Sequence, residues 1–205
     1  MDLMNLLQGQ ISDNLVEQLS QQLGGADKQQ TAAATSGIMT TLMGALAKNA
    51  ASPEGAQSLN NALERDHDGS ILNDVMGMLG GNTQTSNSKM LNGSGIVKHI
   101  LGDRQGGAVN MISQMSGLDS SQTGSLMTML APVIMGALGQ TKRQQGLDVG
   151  GIASLLSGTV QSQQAKNPTM GLVTSFLDSD GDGSIVDDVA GMGLKFLGGL
   201  FKGRK

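Results

Sequence analysis

Two stretches of the chain carry the same sequence pattern 92 residues apart, and this internal similarity most constrains the fold. Residues 27–46 read DKQQTAAATSGIMTTLMGAL, and residues 119–138 read DSSQTGSLMTMLAPVIMGAL. Just upstream, LSQQLGG at 19–25 matches ISQMSG at 112–117 with one residue fewer in the loop. A pattern repeated at a fixed offset indicates a duplicated structural unit, so we predict two related halves.

A second pair of matching segments sets the boundaries of these halves. ERDHDGSILNDVMGM at 64–78 matches DSDGDGSIVDDVAGM at 178–192, and the offset has grown from 92 to 114, so the second half carries an insertion. We predict a first helical repeat at 1–80, which ends in an acidic loop and a short helix. A polar Gly/Asn/Ser/Thr linker follows at 81–89. The second repeat, at 90–205, has an inserted helix at about 147–168, its own acidic loop and a C-terminal helix.

Helical periodicity runs through both halves. Leucines at positions 15, 19 and 23 form a stripe that stops at Gly24-Gly25, and apolar residues keep the same spacing over 27–49 and 119–140. Asp119 and Gln122 resemble a capping box, Pro132 predicts a kink, and Ser52-Pro53 predicts a further helix start. No segment alternates like a strand. We therefore predict a compact all-α fold without a sheet.

Each glycine inside these helices lowers helix stability by about 1 kcal/mol relative to alanine, so tertiary packing has to offset the loss. We expect Gly37, Gly44, Gly124 and Gly136 to mark close helix crossings, with the 14 methionines filling irregular gaps in the core. A methionine-rich binding surface is the alternative.

Composition excludes several classes of function. Aromatic residues make up 1% of the chain, cysteine is absent, and the formal net charge is −4. Base-stacking surfaces, disulfides and thiol chemistry therefore lack their residues, and a nucleic-acid partner is not expected. The N-terminal segment lacks the cationic start of a secretory signal, and no apolar run reaches the roughly 20 residues of a membrane span, so we predict a cytoplasmic protein.

The segments DHDGSILNDV, DGDGSIVDDV, APVIMGALG and SPEGAQSLNNAL resemble the YidB-like bacterial proteins, whose shared domain has no known function. The resemblance covers nearly the whole chain, with two copies of the pattern. It implies a compact multihelical fold and a bacterial origin, and it carries over no catalytic residue or ligand.

The acidic loop of the second half has the spacing of a Ca²⁺ site. Carboxylates at loop positions 1, 3 and 5, glycine at 6 and a backbone carbonyl at 7 match what a hard cation requires. Val189 stands where an EF-hand has its bidentate acid, and an aspartate comes one residue earlier. The predicted Ca²⁺ ligands of this loop are Asp178, Asp180, Asp182, Ser184 and Asp188.

The first half carries a weaker copy of this loop. Its predicted ligands are Glu64, Asp66, Asp68, Ser70 and Asp74. In the alternative interpretation both loops are only helix starts. The serine caps the helix, and the positive end of the helix dipole stabilises the acidic side chains of its first turn. The sequence leaves both interpretations open.

No pattern indicates an enzyme. His67 and His99 are the only histidines, and no nucleophile elbow, P-loop, dinucleotide fingerprint or zinc-protease motif is present. We expect His67 to be a solvated loop residue and His99 to lie on or near a helix surface.

The C-terminal segment 193–205 concentrates apolar and basic residues in an acidic protein. Its preferred interpretation is a terminal helix docked on the core; the alternative is an amphipathic helix that meets an anionic membrane surface. The residues of such a membrane contact would be Lys195, Phe196, Phe201 and Lys202.

These observations favour a non-catalytic structural or interaction protein, a duplicated helical scaffold ordered by Ca²⁺ and associating with itself. We expect a homo-oligomer or a protein partner. The alternative is a peripheral membrane-surface protein anchored by its C-terminal helix.

Overall fold

Helices form where the apolar periodicity predicts them. The computed structural model describes residues 13–67 and 92–166, with only the backbone for 163–166. All regular structure in these ranges is helical, which confirms the predicted all-α class. The helices are α1 (Asp13–Gln22), α2 (Lys28–Asn49), α3 (Pro53–Arg65), α4 (Gly93–Leu101), a 3₁₀ turn (Gly102–Arg104), α5 (Gln105–Ser116), α6 (Ser120–Gln145) and α7 (Val149–Lys166).

The α1–α2 and α5–α6 hairpins repeat the same hydrogen bonds at matching sequence positions. Ser20 and Ser113 each donate from the hydroxyl to the carbonyl just before the next helix, at 2.5 and 2.7 Å. Asp27 and Asp119 are the N-caps of α2 and α6. Both loops thus use a serine and an aspartate to satisfy backbone groups that the helix ends leave open.

The predicted capping box at Asp119 does not form. The Asp119 carboxylate accepts from the backbone N–H of Ser121 at 2.7 Å, but the side chain of Gln122 donates instead to the carbonyl of Leu23 at 2.9 Å. The sequence pattern was misleading because the glutamine serves a contact with the other hairpin.

Both halves contribute to one hydrophobic core. The long helices α2 and α6 pack against each other, and buried side chains such as Leu42 and Leu138 belong to the same cluster. Helix α7 lies across the first half, in contact with α2 and α3, and buries Ile152 and Leu156. Among the described residues, five methionines are buried in this core, as expected of gap-filling side chains: Met39, Met43, Met111, Met127 and Met135.

Glycine allows a close helix crossing at some predicted positions but not at others. A Cβ on Gly37 would lie 3.4 Å from the side chain of Ile112, in van der Waals contact, so α2 and α5 approach each other closely at this glycine. A Cβ on Gly124 would meet no atom within 4 Å, and the expectation of a crossing there is wrong.

Pro132 lies inside α6, which is continuous from Ser120 to Gln145. Because proline has no N–H, the carbonyl of Thr128 lacks its intrahelical donor. Gly93, the first residue of α4, lies against this same carbonyl, and any Cβ there would overlap it. The start of α4 therefore packs against α6 at the point where Pro132 interrupts the hydrogen bonding of that helix.

None of the helices in the described ranges is both long enough and apolar enough to cross a membrane.

Candidate functional site: a groove between helices α3 and α4

A groove of about 930 Å³ opens between α3 and α4. Its floor is formed by buried apolar side chains of four helices: Leu46, Leu59, Ile100 and Met135. The volume lies at the upper end of the range for small-molecule pockets, about 300–1,000 Å³. The groove therefore has room for a short polypeptide segment.

The wall formed by α3 is fixed at its N-terminus. Ser52 caps α3 by accepting from the backbone N–H of Gly55 at 3.1 Å, with Pro53 in the first helical position, as the sequence predicts. Gly55 lies so close to the carbonyl of Asn49 that a Cβ would overlap it. The end of α2 and the start of α3 thus meet without space for a side chain.

The opposite wall, α4, is held to the same corner. The side chain of Asn49 donates to the carbonyl of Ile100 at 3.0 Å, which ties the end of α2 to the end of α4. Asn92 caps the start of α4 by accepting from Gly95 N–H at 2.9 Å. The contact of Gly93 with α6 and the bond from Asn49 therefore hold the two ends of α4 against the rest of the body.

The rim of the groove carries more positive than negative side chains. The cationic side chains are Lys48, Arg65 and Arg104, and the anionic ones are Glu54 and Asp66. Within the described ranges, neither Arg65 nor Arg104 has a carboxylate within ion-pair distance. Because the whole chain has a net charge of −4, this local excess of positive charge favours an anionic occupant.

Sequence reasoning missed both arginines. They are 39 positions apart and belong to no motif. Only the packing of α3 and α4 brings them to one groove.

Glu64, a predicted ligand of the first acidic loop, forms an ion pair in the structure. Its carboxylate accepts from Lys142 of α6 at 2.8 Å and from the side chain of Asn60 at 3.2 Å. The hydrogen bond from Lys142 is the main cause that lowers the pKa of Glu64. A carboxylate held in this way stays ionised at a lower pH than a free glutamate, and it ties α3 to α6.

The two histidines line the groove, and the prediction for one of them is wrong. His99 is exposed on α4, as expected. His67 is only 5% exposed, although we predict a solvated residue from the sequence. The backbone N–H groups of Asp66 and His67 both donate to the carbonyl of Ala62, so the chain folds back on α3 and carries the ring into the protein.

The groove also contains two serines, and neither is arranged as a nucleophile. The hydroxyl of Ser52 is used in the helix cap, and neither Ser52 nor Ser58 hydrogen-bonds to a histidine.

The predicted Ca²⁺ ligands fall largely outside the described residues. Of the first loop, only Glu64 and Asp66 are described; Asp66 caps the end of α3 and lines the groove. No group of three or more His, Asp or Glu residues that could hold a metal occurs in the part of the chain that the structure describes. The remaining predicted ligands and membrane contacts lie outside it: Asp68, Ser70, Asp74, Asp178, Asp180, Asp182, Ser184, Asp188, Lys195, Phe196, Phe201 and Lys202.

A family model described as "Bacterial protein of unknown function (DUF937)" matches residues 5–141, about two thirds of the chain. No curated protein and no solved structure matches. The matched range contains both walls of the groove.

Proposed function

The chain belongs to the family described as "Bacterial protein of unknown function (DUF937)", and from this premise we propose that it is a non-catalytic interaction protein. Its helical body acts as a scaffold that receives an acidic protein segment in the groove between α3 and α4. The observation that carries the proposal is the groove itself, whose floor is apolar and whose rim holds Arg65 and Arg104 without described ion-pair partners.

The rigidity of the groove supports binding rather than catalysis. Its walls are positioned by helix caps and by the close contacts of Gly55 and Gly93, so little freedom is lost when a segment enters. Neither of the two serines that line the groove, Ser52 and Ser58, hydrogen-bonds to a histidine within the described ranges. Such a surface is suited to holding a partner in one orientation.

The charge of the rim supports an acidic partner. Guanidinium groups bind carboxylates through paired hydrogen bonds and remain charged at any physiological pH. The chain itself contains acidic segments, so a segment of one copy that reaches the groove of another would produce the self-association that we propose. Ca²⁺ binding by those segments and a cytoplasmic location belong to the same proposal.

Titration with polyglutamate tests the proposal. The chain has no native cysteine, so an Asn61→Cys variant carries a single environment-sensitive fluorophore at the rim of the groove. We expect saturable binding of polyglutamate that weakens by roughly tenfold or more when Arg65 and Arg104 are both replaced by Glu. The matched control is Lys98→Glu, which reverses a charge on exposed α4 outside the groove and should leave binding unchanged.

Sedimentation velocity on the unlabelled full chain tests self-association. We expect the weight-average mass to rise with concentration and to fall in high salt, which screens exposed charges. Equal loss of polyglutamate binding in Lys98→Glu and in the double arginine variant would contradict a site in the groove. A fluorophore signal that changes with polyglutamate neither in this chain nor in a variant whose Asp178, Asp180 and Asp182 are replaced with Asn would contradict the proposal itself.

A further inference from the structure

We propose that the groove between α3 and α4 is the docking site of the chain's own acidic segment, residues 178–188. This inference rests on the proposed function, because it names the segment that the groove receives. Within the chain, docking would make the site self-occupied. An external acidic partner, or the same segment of another copy at high protein concentration, would have to displace the segment.

The length of chain that leads to this segment is sufficient. The last described helix, α7, packs against α3, one wall of the groove, and ends at Lys166. Asp178 follows 12 positions later, and 12 extended residues span about 40 Å. The longest helix of the body, α6 with 26 residues, is about 39 Å long. The residues after α7 can therefore span a distance equal to the longest helix of the body, and α7 itself already packs against one wall of the groove.

The charges of segment and groove are complementary. Residues 178–188 contain five aspartates and no basic residue, while the rim offers Arg65 and Arg104 without described ion-pair partners. Single exposed ion pairs stabilise weakly, so docking needs several of them together. A short tether raises the effective concentration of the segment to the millimolar range, which makes such weak contacts sufficient.

Distance measurements between spin labels test this docking in the full chain. Because no native cysteine interferes, a double variant with cysteines at Asn61 and Ser179 reports the distance between groove and segment. We expect a short-distance population in low salt that persists when labelled chain is diluted with excess unlabelled chain. It should disappear in Arg65→Glu/Arg104→Glu and remain in the matched control Lys98→Glu.

A charge exchange provides a stricter test. Replacing Asp178, Asp180 and Asp182 with Lys in the double arginine variant should restore the short distance, since the pairing is then rebuilt with opposite signs. Replacing the same three residues with Asn in the otherwise unchanged chain should increase its affinity for polyglutamate severalfold, because the internal competitor is weakened.

The outcomes separate this inference from the proposed function. Saturable polyglutamate binding without any short-distance population would overturn docking of the segment and leave the proposed function intact. A short distance that survives the arginine reversal, or that vanishes on dilution with unlabelled chain, would also overturn docking within the chain. Absence of polyglutamate binding even in the Asn variant would count against the proposed function.

Discussion

The side-chain amide of Gln122 donates to the backbone carbonyl of Leu23, so the start of α6 is tied to the loop that ends α1. Gln30 is the matching residue of the first hairpin, and it lies close to Gly117 in the loop that ends α5. A Cβ added to Gly117 would be 3.1 Å from the side-chain amide nitrogen of Gln30. Each hairpin therefore places a glutamine over the other hairpin's loop.

Gln122→Ala should lower the free energy of unfolding by about 1 kcal/mol, the usual contribution of one hydrogen bond to a half-buried carbonyl. Urea denaturation measures the change. The control is Gln144→Ala, which removes an exposed glutamine from the same helix and should change stability little. Equal effects of the two substitutions would show that the contact to Leu23 does not stabilise the pairing of the hairpins.

Two glycine-to-alanine substitutions should act in opposite directions. Gly93→Ala would force a Cβ into the carbonyl of Thr128 and should cost about 1–3 kcal/mol or more, as overpacking does. Gly124→Ala meets no neighbour and should stabilise α6 by about 0.5–1 kcal/mol, because alanine is the better helix former. Thermal unfolding of both variants distinguishes them, and two shifts of the same sign would contradict the packing described for Gly93.

The ion pair between Glu64 and Lys142 should make stability depend on pH. Because the pKa of Glu64 is lowered in the folded state, its contribution is complete above its ordinary value of 4.5 and is lost as the pH falls through the lowered value. The difference in unfolding free energy between wild type and Glu64→Gln should therefore shrink on acidification. The control is the same Glu64→Gln substitution in a Lys142→Gln background, where the partner is absent and the difference should depend less on pH.

The helices were predictable because their signals are local. The cap at Ser52, the proline at the first position of α3 and the leucine stripe of α1 each act within one or two turns, and each is where the sequence predicts it. The role of Gln122 could not be predicted in the same way, because its partner Leu23 lies 99 positions away in the other hairpin. The spacing of residues along one helix carries no information about such a contact.

The groove could not be predicted, since it is produced by how helices cross. Arg65 and Arg104 line one groove because α3 and α4 form its two walls. The position of α4 depends on the bond from Asn49 to its end and on the packing of Gly93 against the carbonyl that Pro132 leaves without a donor. The burial of His67 likewise follows from a turn after α3 that its own neighbours do not signal. The Ca²⁺ loops are the opposite case. Their pattern is visible in the sequence, but most of the predicted ligands lie outside the described residues.

Calcium binding by the second acidic loop stays a prediction with a direct test. Millimolar Ca²⁺ should raise the melting temperature, because a ligand that binds only the folded chain stabilises it. Asp180→Ala combined with Asp182→Ala should abolish the rise. An unchanged melting curve of the wild type in saturating Ca²⁺ would leave the helix-start interpretation of the loop.

Removal of residues 193–205 separates a docked C-terminal helix from a membrane anchor. The segment carries five large apolar side chains, each worth about 1.5–3 kcal/mol if fully buried. We expect clear destabilisation of the truncated chain and no binding of the intact chain to anionic liposomes. Intact protein that co-sediments with such liposomes, together with a truncated chain of unchanged stability, would reverse this preference.

The bond between Gln122 and Leu23 joins residues 99 positions apart. At a synthesis rate of about 5–20 residues per second, the ribosome adds Gln122 roughly 5–20 s after Leu23. Over most of that interval the α1–α2 hairpin lacks the contact with Gln122. It also lacks the contact between Gly37 and Ile112, because Ile112 has not yet been synthesised. The nascent chain therefore contains one half of the shared core before the other half has been synthesised. During this interval the apolar face of the α1–α2 hairpin is accessible to chaperones or to a neighbouring copy of the chain.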